Sequence, residues 1–123
     1  MITVLVWIGV GAFGAIGALA RFWVADGVTA WRPSAFPYGT FVVNISGGFT
    51  LGLLTGLGVS GDATLVFGTG LLGGYTTFST WMVEAQRLGE DASWVAMSSY
   101  LLGSMLAGLA AAGAGWLLGG ELR

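Results

Sequence analysis

Apolar residues fall into four long runs, and the polar residues gather between them. The runs extend over Ile2 to about Val24, Phe36 to Val59, Ala63 to Val83 and Trp94 to Leu118. Each is about 20 residues or longer, the length at which an α-helix crosses the hydrocarbon core of a bilayer. The connectors are "ADGVTAWRPSAFP", which holds both prolines, "SGD" and "EAQRLGEDAS". Ser93 stands where a hydroxyl can cap the N-terminus of the last helix. The pattern predicts an all-α integral membrane protein of four transmembrane helices. They form a single domain over residues 1–123, with no room for a soluble unit. The first run starts at once, lacks a basic leader and is followed by three more like it, so it reads as a membrane span rather than a signal peptide.

Composition strengthens this reading. Charged residues make up 8% of the chain, against about 25% in an ordinary soluble domain. A small soluble chain exposes much of its surface, and this one lacks the charge to cover it. Without cysteine there is no thiol chemistry. Four arginines and no lysine form no basic patch for nucleic acid. Arg21, Arg32 and Arg87 belong to the side of the first and third connectors, whereas Arg123 shares the other side with the N-terminus. If Arg21 is held within the structure, the bias is two against one. So weak a bias permits insertion in both orientations, and a chain that inserts both ways can pair with its own inverted copy.

Small residues recur at packing distance: Gly11, Gly14, Gly17 and Ala18, then Gly48, Gly52 and Gly56, then Gly103, Ala107, Ala111 and Gly115. Such stripes let helices approach closely in lipid, within a subunit or between subunits. The stretch Gly9-Val10-Gly11-Ala12-Phe13-Gly14 also matches a dinucleotide fingerprint. That motif needs a sheet and an acidic residue about 20 positions on; Asp26 comes too early, and the other runs leave no sheet to build.

Polar groups inside the runs carry the candidate chemistry. Arg21 closes the first run, either as an arginine snorkelling to the headgroups or as a charge at the mouth of a vestibule that concentrates anions. Asn44 lies well inside the second run, where an amide needs a partner; it is either an interhelical bridge or a donor on a path. Thr40 precedes it by one helical turn on the same face, while Ser46 and Thr50 are offset and suited to bonding back to their own helix. Tyr100 and Ser104 form an i, i+4 stripe that Gly108 continues without a hydroxyl. In "GGYTTFSTW", residues 73–81, the pair Gly73-Gly74 is expected to break the third helix. A break frees carbonyls suited to a cation and N–H groups suited to an anion, and lipid satisfies neither. Beyond it, Phe78 and Trp81 share a face and offer electropositive ring edges. No ionisable side chain lies at mid-depth; Glu84 only follows the third run. No nucleophile–base pair or metal-ligand cluster is visible. These groups read as a passive pore for a small anion, not an enzyme.

The stretches "GAFGAIGALARF", "YGTFVVNISGGFTLG" and "GTGLLGGYTTFSTW" resemble the Fluc, or CrcB, family of fluoride channels. The resemblance covers nearly the whole chain. It implies antiparallel dimers of dual-topology subunits, with two fluoride pores and a sodium ion at the centre held by backbone carbonyls. Those carbonyls correspond to Gly73 and Thr76. By the same resemblance Asn44 matches a pore-lining amide, Phe78 a ring that faces the ion, Tyr100 and Ser104 residues of a polar path, and Arg21 the arginine closing the first-helix motif. There are two departures: Trp81 stands where a second phenylalanine is usual, and Gly108 where a hydroxyl is expected. Some family members pair two diverged subunits, so a heterodimer with a paralogue stands beside a homodimer. The implied function is passive export of cytoplasmic fluoride across the cell membrane of a prokaryote. Hydrogen fluoride enters neutral and ionises inside, and the negative membrane potential expels the anion.

Two rivals remain. A small multidrug or guanidinium exporter has the same size and layout but needs a carboxylate in the first helix, and residues 2–24 contain none. A non-transporting assembly subunit needs neither a helix break nor a buried Asn44.

Overall fold

A computed structural model describes residues 2–123; of the single domain expected over 1–123, Met1 lies outside the described residues. The described residues hold helices and connecting turns and no strand. Helix α1 covers Ile2–Trp31 and α2 covers Tyr38–Gly56. The third crossing has a π-helical segment, Thr64–Leu72, that runs straight into the short α3, Gly73–Tyr75. After an interruption α4 follows over Ser79–Asp91, and α5 covers Trp94–Leu122.

These limits differ from the apolar runs in instructive ways. The first connector is helical as far as Trp31, because nothing before Pro33 prevents the backbone from continuing its hydrogen bonds. Asp26 therefore lies within α1, exposed and near its end. Helix α2 starts at Tyr38 behind Pro37. Helix α5 continues past Leu118 to Leu122, and the Ser93 hydroxyl caps its start by accepting the Ala96 N–H at 3.0 Å. Gly58 (φ 81°) and Gly61 (φ 63°) turn the chain between α2 and the third crossing, in a backbone region that glycine enters without strain.

The break in the third crossing is present but displaced. Gly73 is helical (φ −62°, ψ −39°). The chain leaves the helix at Thr76 (φ −80°, ψ 162°). The expectation of a break at Gly73-Gly74 is corrected to Thr76–Phe78. The glycines serve close approach instead. A Cβ at Gly74 would strike the Gly14 carbonyl, and one at Gly17 would strike the Leu71 carbonyl. Thus α1 lies backbone to backbone against the first half of the third crossing.

Helices α2 and α5 form the most extensive pair. A Cβ on Gly52 or Gly56 would run into the carbonyl of Ala112 or Trp116, and one on Gly115 into that of Phe49. Gly52, Gly56 and Gly115 of the small-residue stripes thus serve packing within the subunit, and Gly119 joins them. Gly11 and Gly103 have nothing within 4 Å.

Apolar side chains point outward. Leu106 is 68% exposed, Leu109 69% and Trp23 69%, whereas among the described residues the buried apolar ones are Val43, Leu72, Ala85, Leu88 and Tyr100. Helices α1 and α5 are each long and apolar enough to cross a bilayer, and little of either is buried within the chain. A soluble core helix would be mostly buried; helices apolar on their outer faces belong in lipid. Polar residues dilute α2 and the third crossing, and it is these elements that build the site.

Candidate functional site

The site begins with the interruption in the third crossing. In a continuous helix the Thr77 N–H would reach the Gly73 carbonyl, four residues back. It donates instead to Asn44 Oδ1 at 2.9 Å, while Asn44 Nδ2 donates to the Thr77 carbonyl at 3.0 Å. One amide side chain on α2 thus replaces two backbone partners. The Thr80 N–H, due at the Thr76 carbonyl, donates to Thr77 Oγ1 at 3.3 Å. Gly73 and Thr76 therefore both lose the helical donors to their carbonyls. The Thr76 hydroxyl turns back to the Leu72 carbonyl at 2.9 Å. Gly47 admits the break, since a Cβ there would strike the Thr76 methyl.

A cleft of about 540 Å³ opens beside this segment. Asn44, Gly73, Thr76, Phe78, Trp81 and Ser104 all line it, and none of its lining residues is ionisable. Phe78 is 68% exposed, and its ring meets Trp81 edge to face with centroids 5.6 Å apart. Gly108 also borders the cleft, so the missing hydroxyl there leaves open wall.

The other sequence-selected residues lie elsewhere. Tyr100 is fully buried and Thr40 is 6% exposed. Both bind one carboxylate: Thr40 Oγ1 donates to Glu84 Oε1 at 2.8 Å and Tyr100 OH to Glu84 Oε2 at 3.4 Å. Phe36 packs edge-on against the Tyr100 ring with centroids 5.2 Å apart. Arg21, half-buried, borders a smaller cavity of about 190 Å³ with Thr40 and Thr77. Thr77 borders both cavities, so the Asn44–Thr77 bridge stands between the neutral cleft and the Arg21 cavity.

Sequence reasoning passed over Glu84 and Thr77. Glu84 is the first carboxylate after the third run, and Thr40 and Tyr100 are hydroxyls that need a partner at the same level; that coincidence was the available signal. Nothing local marks Thr77 as the residue that Asn44 holds. Ser46 and Thr50 behave as their offset positions suggest, donating to the Val43 and Ser46 carbonyls on their own helix. Ser46 also meets the Tyr75 hydroxyl at 2.8 Å.

Comparison with known proteins gives this arrangement a family. The chain is 50% identical over 111 residues to the Fluoride-specific ion channel FluC 2 of Mycobacterium tuberculosis (strain ATCC 25618 / H37Rv), covering 90% of this chain and 88% of the relative. It is 44% identical over 123 residues to the Fluoride-specific ion channel FluC 1 of Leifsonia xyli subsp. xyli, covering 96% and 89%. It is 42% identical over 120 residues to the Fluoride-specific ion channel FluC of Gloeobacter violaceus, covering 94% and 93%. The family model described as CrcB-like protein, Camphor Resistance (CrcB), matches residues 8–116, and the chain belongs to that family.

Proposed function

We propose that this membrane protein is a fluoride-selective channel, not an enzyme, and that it lets cytoplasmic fluoride leave passively down its electrochemical gradient. The observation that carries this reading is the neutral cleft at the helix break. Its polar lining consists of an amide, hydroxyls, an indole and main-chain groups, with no ionisable side chain among them. Fluoride is small and strongly hydrated. A pore must replace its water with donors and still release it; neutral donors and ring edges do both, where a lysine would hold the ion. The ionisable groups stand away from the cleft, Arg21 at the smaller cavity and Glu84 among Thr40 and Tyr100. The closely related proteins bear the name fluoride-specific ion channel, which supports the same ion here.

The test is flux from liposomes. Purified protein passes fluoride, excludes chloride and continues when the proton gradient is collapsed. Equal fluoride and chloride flux, or dependence on a proton gradient, refutes the channel. A coupled exporter would need a carboxylate within the span of α1, and the only one there, Asp26, sits near its end, exposed.

The working unit is an antiparallel dimer of dual-topology subunits in the cell membrane of a prokaryote. A homodimer is the simpler form. The numbered names FluC 1 and FluC 2 among the relatives keep pairing with a diverged paralogue as the other outcome. The carbonyls of Gly73 and Thr76, relieved of their helical donors, suit a structural sodium ion: hard oxygen ligands in a dry interface favour a small cation. Such an ion offsets carbonyl charge and is not conducted. Gly73→Val tests this. Within one subunit a Cβ at Gly73 meets only the Gly68 carbonyl, at 3.9 Å, so the subunit folds while dimer and sodium dependence are lost. Thr76→Ser retains both. A Gly73→Val protein that remains dimeric and sodium-dependent refutes the site.

A further inference from the structure

We infer that the cleft between the end of α1, the connector after it and α4 binds the headgroup of a phospholipid that carries a primary ammonium group, of the phosphatidylethanolamine type. The site is separate from the neutral cleft at the helix break and does not depend on which ion the protein conducts.

The cleft has a volume of about 450 Å³, with walls from Thr29 of α1, the connector and the second half of α4. Its depth in the membrane follows from helix length. Helix α1 has 30 residues and is about 45 Å long at 1.5 Å per residue, against about 30 Å of hydrocarbon. Its first turns are apolar, with Val4, Leu5, Trp7 and Ile8, so the excess length falls at the other end. Trp31, beside Arg32, is 81% exposed, and Trp94, two residues past the Ala92 of the lining, is 74% exposed. Tryptophan gathers at the headgroup level, and these two mark it here.

Two arginines border the cleft, Arg32 and Arg87. Among the described residues neither guanidinium makes a hydrogen bond or an ion pair. The Arg32 guanidinium lies over the Tyr38 ring, 4.8 Å from its centroid; stacking holds it in place and leaves its N–H edge free. Ser34 Oγ accepts the Phe36 N–H at 3.1 Å, so its own proton is free to donate outward. Asp91 borders the same cleft, one helical turn beyond Arg87. An arginine that precedes the acid along a helix pairs less well than the reverse order, and these two do not pair. Glu84 is also in the wall, but its oxygens already accept from Thr40 and Tyr100. The open groups are thus two cations, one hydroxyl donor and one anion.

The ligand follows from that set. Guanidinium groups take phosphate oxygens through paired N–H donors, and two of them with the Ser34 hydroxyl suit one phosphodiester. Asp91 then selects the remainder of the headgroup. A primary ammonium donates to the carboxylate. A trimethylammonium has no N–H to donate, and a glycerol headgroup leaves the carboxylate facing a phosphate with no cation of the ligand's own. Inorganic phosphate brings more negative charge towards Asp91 and nothing to offset it.

The experiment uses full-length protein in detergent micelles and native mass spectrometry. Phosphatidylethanolamine, phosphatidylcholine and phosphatidylglycerol with identical acyl chains are titrated separately. Phosphatidylethanolamine binds about tenfold more tightly than either of the others, the size expected for one hydrogen bond between charged groups. Arg32→Gln combined with Arg87→Gln weakens all three lipids about tenfold or more. Asp91→Asn lowers phosphatidylethanolamine to the level of phosphatidylcholine and leaves phosphatidylcholine unchanged. Both arginines and Asp91 are exposed, and circular dichroism checks that the variants fold; if the double variant does not, Asp91→Asn decides. Equal binding of the three lipids, tighter binding of phosphatidylglycerol, or a preference for phosphatidylethanolamine that survives Asp91→Asn overturns the site. Excess inorganic phosphate leaves lipid binding unaltered; displacement of the lipid would assign the arginines to a free anion and overturn the lipid as occupant.

Discussion

The α2–α5 pair and the break in the third crossing are both built on polar backbone in lipid, and they treat it in opposite ways. Between α2 and α5 every turn keeps its own hydrogen bonds, and glycine lets one backbone lie on the other at Gly52, Gly56, Gly115 and Gly119. The hydroxyls of Thr50 and Thr55 are folded back onto their own helix. At the break the ladder is opened, and a side chain from α2, Asn44, takes up the Thr77 peptide that the helix gives up. The first region spends its close packing on rigidity. The second brings Asn44, Gly73, Thr76 and Thr77 to the wall of one cleft. The lesson is that a polar group in a bilayer can be closed into its own helix, as the Thr50 and Thr55 hydroxyls are, or met from a neighbouring helix, as the Thr77 peptide is by Asn44.

The largest effect tests the closed region. Gly52→Val drives a branched side chain into the Ala112 carbonyl; α2 and α5 must separate, and no monodisperse protein is recovered by size-exclusion chromatography. A stable Gly52→Val protein would show that the pair is not packed backbone to backbone.

Next comes the partner of the break. Asn44→Leu leaves the Thr77 N–H and carbonyl without their bonds, at about 1–3 kcal/mol each. Fluoride flux is abolished, while circular dichroism retains the helices, since α2 itself is intact. Asn44→Asp keeps the acceptor but loses the donor and adds negative charge beside the path, and abolishes flux as well. Flux at the wild-type rate in either variant would separate the path from the bridge.

A smaller effect is expected at Phe78, which is mostly exposed and gives the cleft a ring edge. Phe78→Ile keeps bulk, changes stability by less than about 0.5 kcal/mol, and lowers flux about tenfold, the order of one aromatic-edge interaction. Unchanged flux would remove the ring from the path.

Thr55→Val is the control. Its hydroxyl only bonds back to the Leu51 carbonyl, so both melting temperature and flux remain at wild-type values. A marked loss of flux would mean that closed hydroxyls also conduct and would dissolve the contrast between the two regions.

Much of this is legible in the sequence alone. Four runs of membrane length followed from hydropathy, Ser93 announced its cap, and Asn44 stood out as an amide where lipid cannot serve one. The position of the break was not legible. Gly73-Gly74 is the weakest helix former in the third run, yet it stays helical because α1 packs against it at Gly14 and Gly17. The break moved to the residue that Asn44 reaches from 33 positions away. Glu84 was equally hidden, because its partners Thr40 and Tyr100 lie 44 and 16 residues from it.

The sequence by itself determined that the chain enters a membrane, how many times it crosses, and which residue types it keeps polar in apolar surroundings. Those properties depend on composition and period, which are local and additive along a helix. Only the tertiary structure decided which glycines touch, where the third helix opens, and which donors remain unpaired. Each of these depends on what stands opposite in a neighbouring helix, and hydrogen bonds and close contacts act over a few ångströms whatever the distance along the chain. Trp81 shows the division: its identity was plain from the sequence, but that its N–H lacks a partner and borders the same cleft as Ser104 followed only when α4 and α5 were set side by side.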